Sequence, residues 1–569
     1  MKLTVVIPTY NRRTVIEQTL PTVLDQTLPA SEYEVVVIVD GSADGTAAAL
    51  RRINSPVRIR VIEQENRGQA AARNVGLKVG TGELVLFLDD DLFCERNLMA
   101  EHIAAHVDGN SLVFGPVLVS PKSSENLATK WLRFVTDDWL SQLEHKGISW
   151  PDNAIVSPNS SVRRDIILAT GGFDERFFRA FEDWELGQRL WERGVRFQFC
   201  PSALTHQYYT KSSNDYILGD AVLWGTNEVL FCQKHPEMRI HSTIASKKGA
   251  LFNFCARLPF SIDPLLRLLE MCTRSDAKGI NAISRRLRFA MHRSAIKAAG
   301  GWRQFERDYA MVLPVLMYHH VGPVQPGTYP ALTVAPRRFQ KQMRWLKRNG
   351  YTTICTGDWL AWCLEGKPLP PRPVLLTFDD AYADLMQYAF PVLQEIGFTA
   401  IVFVVTGEIG GHNSWDQKNG SAVLRCMSVD QIRHWSAKGI EFGAHTRTHS
   451  DLTTLPDAEL EEEIEGSSRN LAEILGTTPL SFAYPSGEYN GLIRSRVEKS
   501  FQVAFTCDEG LNGLGTAPHL LRRTMIQPRD SLLGFALRIK FGSNPIESLR
   551  ARLRLRTRLR GLFRMLEGS

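Results

Sequence analysis

"LLTFDDAY", residues 375–382, ends an apolar run in two adjacent carboxylates, Asp379 and Asp380. Aspartate is a poor strand former and like charges repel, so this ending demands a compensating partner. A short apolar run that delivers carboxylates at its end is the pattern of a strand in an α/β sheet, where ligands gather at strand termini. The pattern recurs in "LVLFLDDD", where Leu84 to Leu88 lead into Asp89, Asp90 and Asp91. The chain holds either two copies of one site or two different sites.

Working outward, 569 residues exceed what one hydrophobic core supports and predict two or three domains. Hydrophobic residues at 44% and charged residues at 22% are ordinary globular values, against wholesale disorder or a multi-span membrane protein. "MKLTVVIPTYNR" opens on an apolar run too short for a signal peptide, so a cytoplasmic chain is expected. Nine cysteines scattered from Cys94 to Cys507, without a C-x-x-C pair, fit reduced thiols.

The net charge of +6 is mild, but "LRARLRLRTRLRGLFRML" places seven arginines between Arg550 and Arg564 with no acid among them. Read as a helix, its leucines and Phe563 oppose the arginines, the pattern of a segment seeking the inner face of a membrane or docking on its own domain. No aromatic platform interleaves with the basic residues, which argues against nucleic acid.

Apolar runs near 3–8, 35–39, 57–62 and 84–88 alternate with segments able to form helices, predicting β-α-β units and a parallel sheet. Basic, helix-compatible text such as "ISRRLRFAMHRSAIKAA" then suggests a connector over 231–310. A second strand series begins at "VLPVLMYHHV" and continues through "PVLLTF", "AIVFVV", "IEFGAH", "SFAYPSG" and "VAFT", as in a (β/α) barrel. The expected organisation is 1–230, 231–310, 311–530 and an amphipathic tail over 531–569.

In the first part, Asp40 ends a strand before a Gly/Ser turn, where a carboxylate can hydrogen-bond a nucleotide's base or ribose. Asp89 and Asp91 form a D-x-D pair after a strand, a cluster that a divalent cation such as Mg²⁺ neutralises while holding a diphosphate. Taken alone, the same cluster also reads as an acidic turn capping a helix. The ordered set "VVIPTYNR", "VDGSADGT", "NRGQAAARNVGL", "FLDDD", "SPNSSVRRD", "GGFDERFF" and "FEDWELGQRLWERG" resembles the inverting family 2 glycosyltransferases from Leu3 to about Tyr209. That resemblance implies an open nucleotide-sugar-binding sheet of glycosyltransferase A type and a nucleotide-sugar donor, a UDP-sugar foremost. It also implies a carbohydrate or glycolipid acceptor and Mg²⁺ or Mn²⁺ as cofactor. By position it makes Asp40 the nucleoside contact and sets Arg73 near the donor. Asp89 and Asp91 become the metal and diphosphate motif, and Asp183 the base. His206 stands where related enzymes often have a phosphate or metal contact, although a buried structural histidine fits equally.

The second acidic pair has different company. "GAHTRTHSDL" supplies His445 and His449, and two imidazoles with one aspartate make a facial set for Zn²⁺ or another divalent transition metal. With "TFDD", "FAYPSG" and "LRRTMI", this region from about Pro314 to Gln527 resembles the polysaccharide deacetylases of carbohydrate esterase family 4, which share a distorted (β/α) barrel. The resemblance implies Asp380, His445 and His449 as metal ligands, Asp379 as general base, and a backbone N–H near Tyr484 for the oxyanion. His319 of "LMYHHV" becomes the acid with His320 its alternative, and Arg522 or Arg523 supplies a missing arginine. The two resemblances together imply a bifunctional enzyme of amino-sugar chemistry. A single-activity deacetylase and a non-catalytic carbohydrate-binding scaffold at a membrane use the same residues differently.

Overall fold

The structure of the protein, a computed structural model, describes residues 1–547 apart from 155, 246–254, 257–262, 265, 268–275, 324–331 and 418–421. It divides into two compact units, Met1–His235 with Lys248–Phe305, and Pro236–Lys247 with Glu306 onward.

The first unit is an α/β sandwich. Its strands are β1 Leu3–Thr9, β2 Tyr33–Asp40, β3 Arg58–Gln64, β4 Leu84–Leu88, β5 Leu92–Cys94, β6 Ser111–Phe114, β7 Val117–Val119, β8 Asn159–Arg163, β9 Arg196–Phe199 and β10 Thr205–Gln207. A seven-stranded sheet has the order β3-β2-β1-β4-β8-β6-β9. β8 runs antiparallel to both its neighbours, and the remaining pairings are parallel. Every residue of β1, β2 and β4 is buried, as expected of strands covered on both faces. The helix Gln69–Val79 lies on β1 and β2 so closely that a Cβ on Gly76 would stand 2.3 Å from a Val6 methyl. A small sheet, β5-β10-β7, stands beside the acidic motif.

The segment read as a connector is divided between the units. The helix Asp276–Ala298 packs on the helices Leu127–Lys146 and Val222–Lys234 of the first unit, with Ile283 and Leu287 sharing a core with Ala128, Tyr216 and Ile217. Pro236–His241 and Glu306–Ala310 belong to the second unit.

The second unit is the expected distorted barrel. Its strands are β11 Val315–Tyr318, β12 His320–Val321, β13 Thr333–Val334, β14 Thr352–Thr353, β15 Pro373–Phe378, β16 Ile401–Val404, β17 Glu441–Ala444, β18 Ser481–Ala483, β19 Val503–Phe505 and β20 Thr524–Met525. The main sheet has the order β19-β18-β17-β16-β15-β11-β20, with β14 also on β15, and its pairings are parallel. Phe505 bridges Leu521, three residues before β20, through Leu521 N–H to Ala504 O at 2.9 Å and Thr506 N–H to Leu521 O at 2.8 Å. The sheet thus curls until its ends nearly join, and the carboxyl ends of β11, β15, β17 and β18 converge.

The boundary expected at residue 530 does not fall there. Ser531 caps the helix Leu532–Phe541, which sinks Phe535 and Ile539 into the barrel's core and pairs buried Arg538 with Asp530 at 2.8 Å. The arginine-rich stretch 549–566 lies outside the described residues. No helix among the described residues is long and apolar enough to cross a membrane.

Candidate functional sites

In the first unit, Asp40, Asp89 and Asp91 stand at strand ends, while Arg73 and Asp183 lie in the helices Gln69–Val79 and Glu182–Glu192. Asp40 closes β2 and is buried, its Oδ1 accepting from Gln64 Nε2 at 2.7 Å and Arg67 N–H at 2.9 Å, its Oδ2 from Gly68 N–H at 2.9 Å. It therefore holds the loop that starts the helix bearing Arg73. Arg73, 1% exposed, donates to Asp89 Oδ1 at 2.8 Å and to Glu182 Oε1 at 2.6 Å, tying the acidic motif to the turn that carries Asp183. Asp183 opens the helix Glu182–Glu192 just after Ala180 and Phe181, both in the left-handed region. Burial, then Glu182 beside it, pushes the Asp183 carboxyl up against the pull of Arg73.

The D-x-D residues have separate surroundings. Asp89 is half-buried and also accepts from Gln69 Nε2 at 3.0 Å. Asp91 is buried and accepts from Arg12 Nη2 at 2.9 Å and from Gln207 Nε2 at 3.0 Å. Asp90 between them accepts from Thr9 Oγ1 at 2.7 Å and pairs with Arg12 Nη1 at 3.0 Å. Burial raises both Asp90 and Asp91 against the pull of Arg12. A guanidinium thus supplies the positive charge that the cluster needs, and a divalent ion at Asp91 would share its carboxylate with Arg12. Arg12 closes the motif "VVIPTYNR" without a role assigned to it there, and Gln207 was not singled out, so sequence reasoning missed both contacts. His206 does not join this cluster. Side chains alternate along a strand, and while Gln207 reaches Asp91, His206 Nδ1 lies 3.7 Å from Glu95.

In the second unit, Asp379 and Asp380 leave β15, His445 leaves β17 and His449 follows in a tight loop. Asp380 and His449 both adopt left-handed backbone, φ 70° and 60°. Asp380 Oδ1 is buried, has no hydrogen-bond partner, and lies 3.9 Å from His445 Nε2 and 3.7 Å from His449 Nε2. His445 donates through Nδ1 to the Ala483 carbonyl at 2.7 Å, which fixes the tautomer and leaves the Nε2 lone pair facing Asp380. Burial pushes His445 down to about 3 and lowers His449, so both rings stay neutral, as metal ligands must be. An orphaned carboxylate oxygen facing two imidazole nitrogens suits a divalent transition metal. These three residues could hold such an ion, each with one ligand atom within 4.8 Å of the others.

Asp379 has the opposite environment. Arg523 Nη1 donates to Asp379 Oδ1 at 2.6 Å, and His319 Nε2 lies 3.7 Å from Oδ2. Burial would raise the Asp379 carboxyl, but the charge and hydrogen bond of Arg523 outweigh it and hold it at about 2. Burial lowers His319. Of the alternatives, Arg523 and not the exposed Arg522 reaches Asp379. His320 turns away to Asp384, 2.6 Å from its Oδ2. The N–H of Tyr484 is spent on the Phe505 carbonyl at 3.1 Å. Pro485 has none, so the nearest backbone donor outside the sheet is Ser486, in the left-handed region at φ 56°.

Comparison with known proteins separates the same two regions. Residues 4–167 match the family model Glycosyl transferase family 2, and residues 366–502 match the model Polysaccharide deacetylase. The chain is 39% identical over 219 residues to validoxylamine A glucosyltransferase of Streptomyces hygroscopicus subsp. jinggangensis (strain 5008), covering 34% of this chain and 52% of that protein. It therefore spans about half the length of that relative. It is 27% identical over 229 residues to YxkH of Bacillus subtilis (strain 168), provisionally named a polysaccharide deacetylase, covering 40% of this chain and 76% of that protein. The solved structure of BC0361, a polysaccharide deacetylase from Bacillus cereus, shares 27% identity at a TM-score of 0.35 and covers 40% of this chain and 69% of its own. The first match lies within the first unit and the second within the second unit, both of them α/β. One polypeptide carries a glycosyltransferase family 2 region followed by a polysaccharide deacetylase region.

Proposed function

We propose that the chain is a bifunctional enzyme. Its first unit transfers an N-acetylhexosamine from a nucleotide sugar, a UDP-sugar foremost, to a carbohydrate or glycolipid acceptor with inversion. Its second unit hydrolyses N-acetyl groups from amino sugars. The observation that carries this reading is the pairing of an orphaned Asp380 oxygen between His445 and His449 with a neighbouring Asp379 held ionised by Arg523.

In deacetylation, Asp379 takes a proton from water as the water oxygen adds to the acetamide carbonyl carbon. Asp380, His445 and His449 would hold a Zn²⁺ or similar ion, which supplies Lewis-acid polarisation of the carbonyl. The Ser486 N–H donates to the developing oxyanion. The C–N bond breaks as His319 delivers a proton to the leaving nitrogen, a role supported by its 3.7 Å approach to Asp379. Acetate and a free amine leave.

In transfer, Asp183 takes the acceptor hydroxyl proton as the acceptor oxygen attacks the anomeric carbon opposite the diphosphate. Asp40 orders the loop against the nucleoside, and Arg73 fixes Asp89 and the Asp183 turn together. Asp89 and Asp91 would hold Mg²⁺ or Mn²⁺, which neutralises the diphosphate leaving group.

Peripheral attachment to an anionic membrane, on the cytoplasmic face, completes the reading. It is supported by the exposed Leu533 (66%) and Phe541 (51%) just ahead of the arginine-rich stretch. The test is mass spectrometry of products from UDP-N-acetylglucosamine, a divalent metal and a panel of acceptors, with Asp91→Ala and Asp380→Ala variants. Glycosyl addition is lost only in the first and acetyl loss only in the second. If the wild-type chain releases neither nucleotide nor acetate, the reading is wrong.

A further inference from the structure

The turn Ser414–Gln417 carries two side chains that neither the metal set nor the base and acid use. Trp415 lies nearly face to face with His449, ring centroids 5.1 Å apart and planes 19° from parallel, which fixes the turn against a candidate metal ligand. Asp416, next in sequence, is half-buried. Its Oδ2 accepts from the Tyr382 hydroxyl at 3.4 Å and from Asn413 Nδ2 at 3.5 Å, both at the outer limit of hydrogen bonding, and Oδ1 takes part in neither contact.

Asn413 is a weak partner for this charge: one Nδ2 hydrogen goes to Ala422 O at 3.1 Å and the other reaches Asp416 only at 3.5 Å, while Oδ1 accepts from Leu424 N–H at 2.7 Å. Tyr382 is buried two residues beyond Asp380. The stacking of Trp415 on His449 and the contact of Asp416 with Tyr382 place the carboxylate beside the candidate metal set, and its charge acts on Asp380, His449 and His319. A weakly partnered, solvent-reaching carboxylate fixed by an aromatic ring beside an amide-hydrolysing centre is suited to accepting from two neighbouring hydroxyls.

We propose that Asp416 is a sugar-binding residue, accepting hydrogen bonds from hydroxyls of the hexosamine whose acetamide is cleaved. Trp415 is its positioning residue. This deepens, and rests on, the reading of the second unit as a sugar N-deacetylase.

The test compares two substrates on the full-length, metal-loaded protein: N-acetylglucosamine oligosaccharides and 4-nitrophenyl acetate, which has no sugar hydroxyls. In Asp416→Asn the ratio of kcat/KM on the sugar to that on the ester falls about tenfold or more, carried by KM, and Asp416→Glu recovers part of it. An unchanged ratio overturns the proposal, as does loss of bound metal in Asp416→Asn, because Asp416 would then act through the ligand set. Calorimetric binding of the oligosaccharide is measured alongside. If the wild-type chain binds the sugar without hydrolysing it, and Asp416→Asn binds about tenfold more weakly, the subsite stands and the deacetylase reading falls. If both bind equally, or neither binds, the subsite falls.

Discussion

Arg523 and Asp379 form a buried ion pair at 2.6 Å across 144 residues of sequence. Two environments are thereby imposed on adjacent carboxylates: Asp379 is kept ionised by a guanidinium, and Asp380 is left with an orphaned oxygen facing two imidazoles.

Arg523→Ala removes the strongest force lowering Asp379 while its burial stays. The carboxyl then rises from about 2, and the acid limb of kcat/KM for deacetylation moves to higher pH. The uncompensated buried charge costs about 3–5 kcal/mol of stability. Because the folded-state value is depressed, Asp379 contributes stability that is present above its unfolded pKa of about 4 and lost as pH falls toward 2. A pH–rate profile and thermal melts of both proteins check these shifts.

His445→Ala should abolish stoichiometric transition metal, measured by elemental analysis. It should also remove the rise in Tm that added metal gives the wild-type protein. With chelator, the wild-type Tm should fall toward that of the variant. A metal-independent Tm in the wild-type chain would count against the ligand set.

Histidine burial sets a second pH dependence. His102, between Ser161 and Asn159, is pushed down to about 4 by burial, and His445 to about 3. An unfolded histidine titrates near 6.5. Stability is therefore full above that value and declines as pH falls below it, because the unfolded chain gains protons the folded one refuses. Melts at pH 7.5 and 5 should differ in that direction.

Transfer should depend on Asp183 in the same sense as deacetylation on Asp379, but with its acid limb at higher pH. Burial and Glu182 raise Asp183 to about 7, so activity needing its carboxylate falls as pH drops through 7. Glu182→Gln removes a neighbouring charge and frees Arg73 to act on Asp183, so the acid limb should move to lower pH. Asp183→Asn should lower transfer by about a hundredfold or more.

Arg73→Met should destabilise the first unit by about 3–5 kcal/mol, since it strands the buried Glu182 carboxylate. Asp89, partly exposed at 23%, relaxes into water and adds little. Chemical denaturation should show the first unit's transition at a lower midpoint.

The sequence made the strands legible where apolar runs end in aspartate, because burial on both faces leaves a continuous signal in β2, β4 and β15. His445 and His449 were legible for a similar reason, since metal chemistry restricts ligand types and spacing. The guanidinium partners were not. Arg522 and Arg523 are adjacent and identical in type, and only the pleat of the chain sends one inward to Asp379 and the other to solvent. Arg12 ends the motif "VVIPTYNR", but nothing in the sequence links it to Asp91, 79 positions away. The domain limit at residue 530 failed because the helix Leu532–Phe541 shares its basic, apolar composition with the tail beyond it, while Phe535 and Ile539 belong to the core.

The three residues of β18 touch both sides of the candidate site in the second unit. Ala483 lends its carbonyl to His445, and the chain then turns at once through Pro485 to the Ser486 N–H. β18 meets β17 through the single pairing of Ala444 with Phe482. A slip of one residue during assembly would reverse the strand's faces and displace both the carbonyl that holds His445 and the Ser486 N–H. A barrel closed out of register would therefore lose the His445 hydrogen bond and the approach of Asp380, His445 and His449 together.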